Sequence, residues 1–342
     1  MNVSKKMVWF LVAALAVTGI LEAGGGSAGG TGHGKRELVL AHHNAQATMY
    51  GRGLDLLAKT FNDSCDTAYI TVFHNSELGT INQLLEAVSA GTIDLNSNGF
   101  GQASTLHRPL EVFSMPYLVK SIDDWRKLID IKNNTVLQEV VSGFEKAANV
   151  HVVNFLVQPL ARHLTCNFPV YSPSDLSGIK VRCIPSDIYT IAITGLGGVP
   201  VPIDWAETPT ALATGVIEGQ ENPYSVISDN KFWDVQKYIM ETAHLCEAGM
   251  IIANQKTWDS LNARERSLLE EAVAVQAAWE WQYNIDQLNQ YKQNCINGGM
   301  QIITASNGLQ VDAFKNNTER LLLQRYPQYS DYIRRINQFL GY

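Results

Sequence analysis

Apolar and polar positions along the chain follow two periods, and the order in which the periods alternate predicts the architecture. Leu38-Val39-Leu40-Ala41 is an apolar run of strand length, and Thr48–Phe61 has helical spacing. Tyr69–Phe73 reads as a second strand, Thr80–Ala90 as a second helix and Ile93-Asp94-Leu95 as a third strand. Strand and helix in alternation predict a parallel sheet covered by helices. Helical patterns at Asp123–Ile131 and Thr135–Ala147 lead to a strand at Val150–Leu156, after which Gln158-Pro159 marks a crossing into another lobe. There Leu160–Thr165 and Ile179–Ile184 are strand-like. Thr208-Pro209 opens a short helix that Gly215 closes, Val216-Ile217-Glu218 is a short apolar run, and Gly219–Pro223 reads as a loop. Tyr238–His244 runs back toward the first lobe, where Gly249–Ala253 is a short apolar strand. Asn262-Ala263-Arg264-Glu265 has the capping-box pattern and opens a helix that meets no proline or glycine before about Cys295. Roughly thirty residues give about 45 Å of helix, enough to lie across both lobes. Helices at Leu309–Arg325 and Tyr329–Leu340 finish the chain.

The expected fold is therefore α/β with two lobes, each assembled from discontinuous segments. Residues 37–159 and 248–287 make the first lobe, and residues 160–247 and 288–342 the second. Connections of this kind permit hinge closure over a cleft. Ahead of the lobes, Lys5 and Lys6 precede fifteen mostly apolar residues, Met7–Leu21, and then small residues that include Gly26-Ser27-Ala28. That order predicts a secretory signal over residues 1–28 and a linker over 29–36. The apolar run is short for a transmembrane helix. Gly24–Gly34 follows no strand, which makes it cleavage region and linker rather than a phosphate loop.

Composition narrows the function. Of 342 residues 46% are apolar and 17% charged, an ordinary globular balance. The net charge of −7, with no Lys/Arg cluster longer than a pair, gives no footprint for nucleic acid. Cys65, Cys166, Cys183, Cys246 and Cys295 have no CxxC spacing, which argues against structural zinc. In an oxidising compartment they leave room for one or two disulfides and at least one thiol over. His42 and His43 are neighbours on a strand, so they face opposite ways and do not share a metal. No HExxH or phosphate-loop signature occurs and no dinucleotide fingerprint follows a strand, while the GxSxG spacing of Gly25–Gly29 falls in the Gly-rich cleavage region, so neither a catalytic activity nor a cofactor is expected.

The chemistry that does stand out is a pair of arginines on strands. Arg182 lies at the exit of its strand, and Arg162 sits on a similar run twenty residues upstream. Strand ends are where α/β sheets bind ligands, and two guanidinium forks can converge on one small anion. A strand-end arginine on its own is often only a salt-bridge partner. Trp205, between Asp204 and a helix start, offers an aromatic face. Asn222 and Tyr224 flank Pro223, Asn44 follows the first strand, and Asn98 and Phe100 belong to a loop expected at Ser97–Gly101. All are candidates to line the cleft.

At these residues the chain resembles the extracytoplasmic solute-binding proteins of TRAP (tripartite ATP-independent periplasmic) transporters. The matching marks, in order, are the Arg162 strand with Thr165, KVRCIP, GGVPVPIDWAE, TALATGVIEGQENP and NKFWDVQKY. The resemblance implies that Arg182 holds a ligand carboxylate, Arg162 assists it and Asn222 hydrogen-bonds the ligand. It implies a periplasmic, monomeric binding protein that delivers a small organic anion to TRAP membrane subunits. Trp205 stands where many members have phenylalanine, so the ligand's identity does not carry over. Two other readings use the same cleft: a sensor that docks on a receptor, and an enzyme acting on a carboxylic acid, for which no base beside the arginines is apparent.

Overall fold

Residues 34–157 and 160–342 are described by a computed structural model. The expected signal segment, the linker as far as His33 and the Gln158-Pro159 crossing lie outside the described residues. β1 (Arg36–Ala41) leads to α1 (Met49–Ser64), β2 (Ala68–Phe73), α2 (Ile81–Ala90) and β3 (Leu95–Gly99). Local chemistry sets these boundaries. Thr48 caps α1 by accepting from the Gly51 amide, Thr80 and Gln83 form a capping box on α2, and Gly91 ends α2 in the left-handed region at φ 81°. β1 pairs in parallel with both β2 and β3.

After α3 (Phe100–Ala103), α4 (Ile122–Leu128) and α5 (Thr135–Ala148), β4 (Val150–Val157) completes the first lobe's early segment. The chain then forms β5 (Arg162–Cys166), β6 (Lys180–Cys183), α6 (Asp187–Leu196), β7 (Val199–Pro202), α7 (Thr208–Ala213), β8 (Gly219–Pro223), α8 (Tyr224–Asp229) and β9 (Tyr238–Leu245). β10 (Ala248–Asn254) returns to the first sheet and is followed by α9 (Gln255–Ser260) and α10 (Ala263–Asn297). β11 (Gln301–Ile303), α11 (Val311–Arg325) and α12 (Ser330–Leu340) close the chain. The first sheet has the order β2-β1-β3-β10-β4 and the second β11-β9-β5-β8-β6-β7. The first is parallel only across β2-β1-β3, because β10 lies antiparallel to β3 and β4.

Two strands stand where loops were expected, for one reason. β3 runs through Asn98 and Gly99, and β8 is the Gly219–Pro223 stretch itself, buried along its whole length. Both carry polar side chains satisfied inside the protein: Asn96 donates to the Ala41 carbonyl at 2.8 Å, and Gln220 to the Thr165 hydroxyl at 2.9 Å. Internally paired polar residues can occupy a buried strand without an apolar pattern. The last helix also departs from expectation. α12 lies against α4 and α5 of the first lobe, with Tyr332 and Arg335 both bonded to Glu139, and Tyr342 beyond it bonded to Asp124.

α10 spans both lobes, packing on α1 and β4 at one end and on α8 and β11 toward the other. Asn262 and Glu265 cap it reciprocally. Under α1 it buries Gln276, Glu280 and Asn284, one per turn on a single face. Gln276 donates to one Glu280 oxygen at 2.8 Å, and the other has no partner among the described residues. Gly53 makes room for this carboxyl, since a side chain there would collide with it. Burial lifts Glu280 to about 8 against one opposing hydrogen bond from Gln276. Between about pH 4.5 and pH 8 the folded protein therefore keeps a proton that the unfolded chain has released, and this group lowers stability as pH rises. Glu280→Gln is expected to raise the thermal midpoint, by more at pH 8 than at pH 5, in unfolding scans across that range. An equal gain at both values would contradict an uncompensated carboxyl.

Candidate functional site

Between the two sheets lies a partly open cavity with about 660 Å³ of empty space, its mouth included. The first lobe lines it with His43, Asn44, Tyr50, Asn98 and Gln102, and the second with Arg162, Arg182, Trp205 and Asn222. Glu247, in the turn from β9 to β10, closes it from the lobe crossing.

Arg182 reaches the cavity because β6 pairs in parallel with β7 and β8, which fixes its third residue against Val201. Its Nε donates to the Ile203 carbonyl at 2.9 Å, and its guanidinium carbon stands 5.7 Å from the centre of the Trp205 ring. The residue is 1% exposed, and Nη2 has no hydrogen-bond partner among the described residues. Burial pulls the Arg182 proton affinity down to about 10, with Glu221 opposing that and Arg162 adding to it. This is a buried cation that the protein itself compensates only in part.

Arg162 is in the opposite condition. Its Nε donates to Glu221 Oε2 at 2.5 Å, and its Nη2 to Glu221 Oε1 and the Glu221 carbonyl, both at 2.8 Å. Its Nη1 stands 3.5 Å from Glu247 Oε2. Glu221 has a further partner on β9: His244 Nε2 contacts Glu221 Oε2 at 3.2 Å, and His244 Nδ1 meets the Thr242 hydroxyl at 2.8 Å. Burial alone would raise the Glu221 carboxyl, but Arg162's charge and the hydrogen bonds from His244 and Arg162 hold it near 2. Both arginines line the cavity, but Arg162 is engaged by the protein's own carboxylates, so the two forks expected to converge on one anion are not equally free.

Among the other sequence candidates, Asn44, Asn98, Trp205 and Asn222 line the cavity, whereas Phe100 and Tyr224 do not. Phe100 follows the end of β3 and turns into the core, 5.5 Å from Phe113 and 5.6 Å from Phe155 between ring centres. Tyr224 is buried in the second lobe, its hydroxyl donating to Glu241 at 2.8 Å. His42 and His43 do diverge. His42 bonds His74 at 2.8 Å, while His43 faces the cavity and is held to about 4 by burial and then by Arg182. Among the described residues no group of three or more His, Cys, Asp or Glu side chains is placed to hold a metal, and all five cysteines are free.

Sequence reasoning missed His43, Tyr50, Gln102, Glu221 and Glu247. Glu221 stood inside the quoted GQENP stretch, and Glu247 stands between two strands that were both predicted. The strand-end argument that singled out Arg182 applies equally to Glu247.

The family model described as bacterial extracellular solute-binding protein, family 7, matches residues 40–327. The chain is 25% identical over 293 residues to the 2,3-diketo-L-gulonate-binding periplasmic protein YiaO of Escherichia coli K12, covering 83% of this chain and 87% of that one. It is 28% identical over 217 residues to the C4-dicarboxylate-binding periplasmic protein DctP of Vibrio cholerae, covering 63% and 64%. A crystal structure of a TRAP periplasmic solute-binding protein from Bordetella bronchispeptica, with density assigned to pantoate, matches with a TM-score of 0.81 at 25% identity, over 90% of this chain and 99% of that one.

The two arginines should respond oppositely to removal. Arg162→Met leaves Glu221 buried without its partner and is expected to cost about 3–5 kcal/mol of stability. Arg182→Met removes a buried, under-compensated cation and should leave the ligand-free protein at least as stable as wild type. Denaturant titration of both variants checks the contrast; equal losses would mean that Arg182 is as well paired as Arg162.

Proposed function

Because the chain belongs to the bacterial extracellular solute-binding proteins of family 7, the DctP-like binding subunits of TRAP transporters, we propose that the interlobe cavity captures a small organic acid by its acid group. The observation that carries this reading is the buried, partly unpartnered guanidinium of Arg182. A carboxylate is its natural complement, since the fork matches two oxygens and the low-polarity surroundings strengthen the contact. The named ligands of the relatives, a diketogulonate, C4-dicarboxylates and pantoate, are all acids. Asn222, Asn44 and Asn98 offer hydrogen bonds to the ligand's body, and the Trp205 ring packs beside the acid group. Arg162, neutralised by Glu221, serves as a fixed wall rather than a second anchor.

The working cycle follows from the two sheets. Ligand contacts made from both lobes favour the closed form, and delivery to the TRAP membrane subunits requires its reopening. The lobes divide as residues 37–159 with 248–287 and residues 160–247 with 288–342, apart from α12, which travels with the first lobe. The mature protein acts as a periplasmic monomer after loss of a signal over residues 1–28.

A thermal-shift screen across organic acids identifies a ligand, since one that binds only the native state raises the midpoint. Calorimetry with that acid should show Arg182→Ala losing about 2–5 kcal/mol of binding, roughly thirty-fold to a few thousand-fold. Arg182→Lys should recover only part of it, because a point charge does not reproduce the fork. Near wild-type affinity in Arg182→Ala would refute the anchor. Trp205→Phe should reorder the acids while keeping the demand for an acid group, and an unchanged order would return that ring to a packing role.

A further inference from the structure

The charges around the cavity are unevenly spent. Arg162 and Arg182 bring two positive charges, Glu221 and Glu247 two negative ones, and Arg162 is shared between both carboxylates. Arg182, on the second lobe, is then the cation turned to the ligand. Where the two lobes meet, the exposed chemistry is reversed. Gln102 is 5% exposed, and its Oε1 has no partner among the described residues. Glu247 is 6% exposed; its Oε1 accepts from the Tyr189 hydroxyl and its Oε2 stands 3.5 Å from Arg162 Nη1. A side chain added at Gly99 would collide with Gln102 Oε1 and Glu247 Oε1 together, so these two oxygens crowd one point on the wall of the cavity. Two hydrogen-bond acceptors, one of them a carboxylate, thus crowd one part of the wall of the cavity that Arg182 also lines.

We infer that the cavity selects a monocarboxylate whose body carries hydroxyl donors, and that Glu247 and Gln102 are the specificity-determining residues that receive a donor and exclude a second carboxylate. This rests on the Arg182 anchor proposed above and adds the charge and the donors of the ligand. A ligand hydroxyl can donate to Gln102 Oε1, the acceptor of the two that has no partner among the described residues and that an unsubstituted acid would leave unpaired. A second carboxylate would instead be pressed against Glu247 in a dry site, and such like-charge contacts strongly suppress wrong partners. Arg162 offsets this only in part, because its Nε and Nη2 are taken by Glu221 and it meets Glu247 through Nη1 alone, at 3.5 Å.

The test uses matched acids on the intact mature protein: unsubstituted butyrate and hexanoate, the polyhydroxy monoacids of four and six carbons, and tartrate and glucarate, which replace the terminal hydroxymethyl of those monoacids with carboxylate. Calorimetry on wild type should rank a polyhydroxy monoacid tighter than its unsubstituted and diacid counterparts by at least about tenfold. Glu247→Gln keeps the shape and removes the charge, so the preference over the diacid should fall by about tenfold. Gln102→Glu adds a charge at the same point and should widen that preference, which keeps the test open if Glu247→Gln fails to fold. The inference is overturned if a diacid or unsubstituted acid binds wild type as tightly as the hydroxy acids, or if the hydroxy acids fail while another acid binds. It is also overturned if the ranking is the same in every variant that folds. Loss of the anchor reading looks different: there, binding of whichever acid is found survives Arg182→Ala.

Discussion

The bidentate pair between Arg162 and Glu221 joins β5 to β8 at the edge of the cavity, and the rest of the site depends on it. Two ions taken out of water this completely are held only because each is matched: Glu221 receives the guanidinium fork and His244, while Arg162 also leans toward Glu247. The pair sits where β5 meets β8 and β9, so it fixes the strands that carry Asn222 and lead to Glu247. It also decides which cation is spent and which is left. Because Arg162 absorbs Glu221 almost entirely, Arg182 lies nearby with its burial poorly repaid, and that shortfall is what an acid can fill.

Much of the fold was legible because the residues that cap, turn and cover its elements obey local rules. Thr48, Thr80 and Asn262 announce α1, α2 and α10, and Gly91 announces where α2 stops. What stayed hidden is where polar residues are buried in pairs. Gly219–Pro223 looks like a loop until Glu221 is seen to face Arg162 and Gln220 to face Thr165, contacts made by residues more than fifty positions apart. The site shows the same division. Strand-end position and residue type pick out Arg182, Trp205 and Asn222, but they do not say whether a guanidinium is free, and so they rank Arg162 with Arg182. Phe100 and Tyr224 failed because a neighbour in sequence to a lining residue points the other way on a strand or turns into a helix. Likewise nothing along α12 tells which lobe it will cover, since its apolar face would suit either.

The α10 rod has a mechanical side. It is hydrogen-bonded without a break over 35 residues, holds no proline or glycine, and is fastened to elements of both lobes. A helix of that kind does not fold sharply; it takes up load as gentle curvature along its length. Any movement of one lobe on the other must therefore be accommodated along the whole rod, or at its attachments, rather than at a single joint within it.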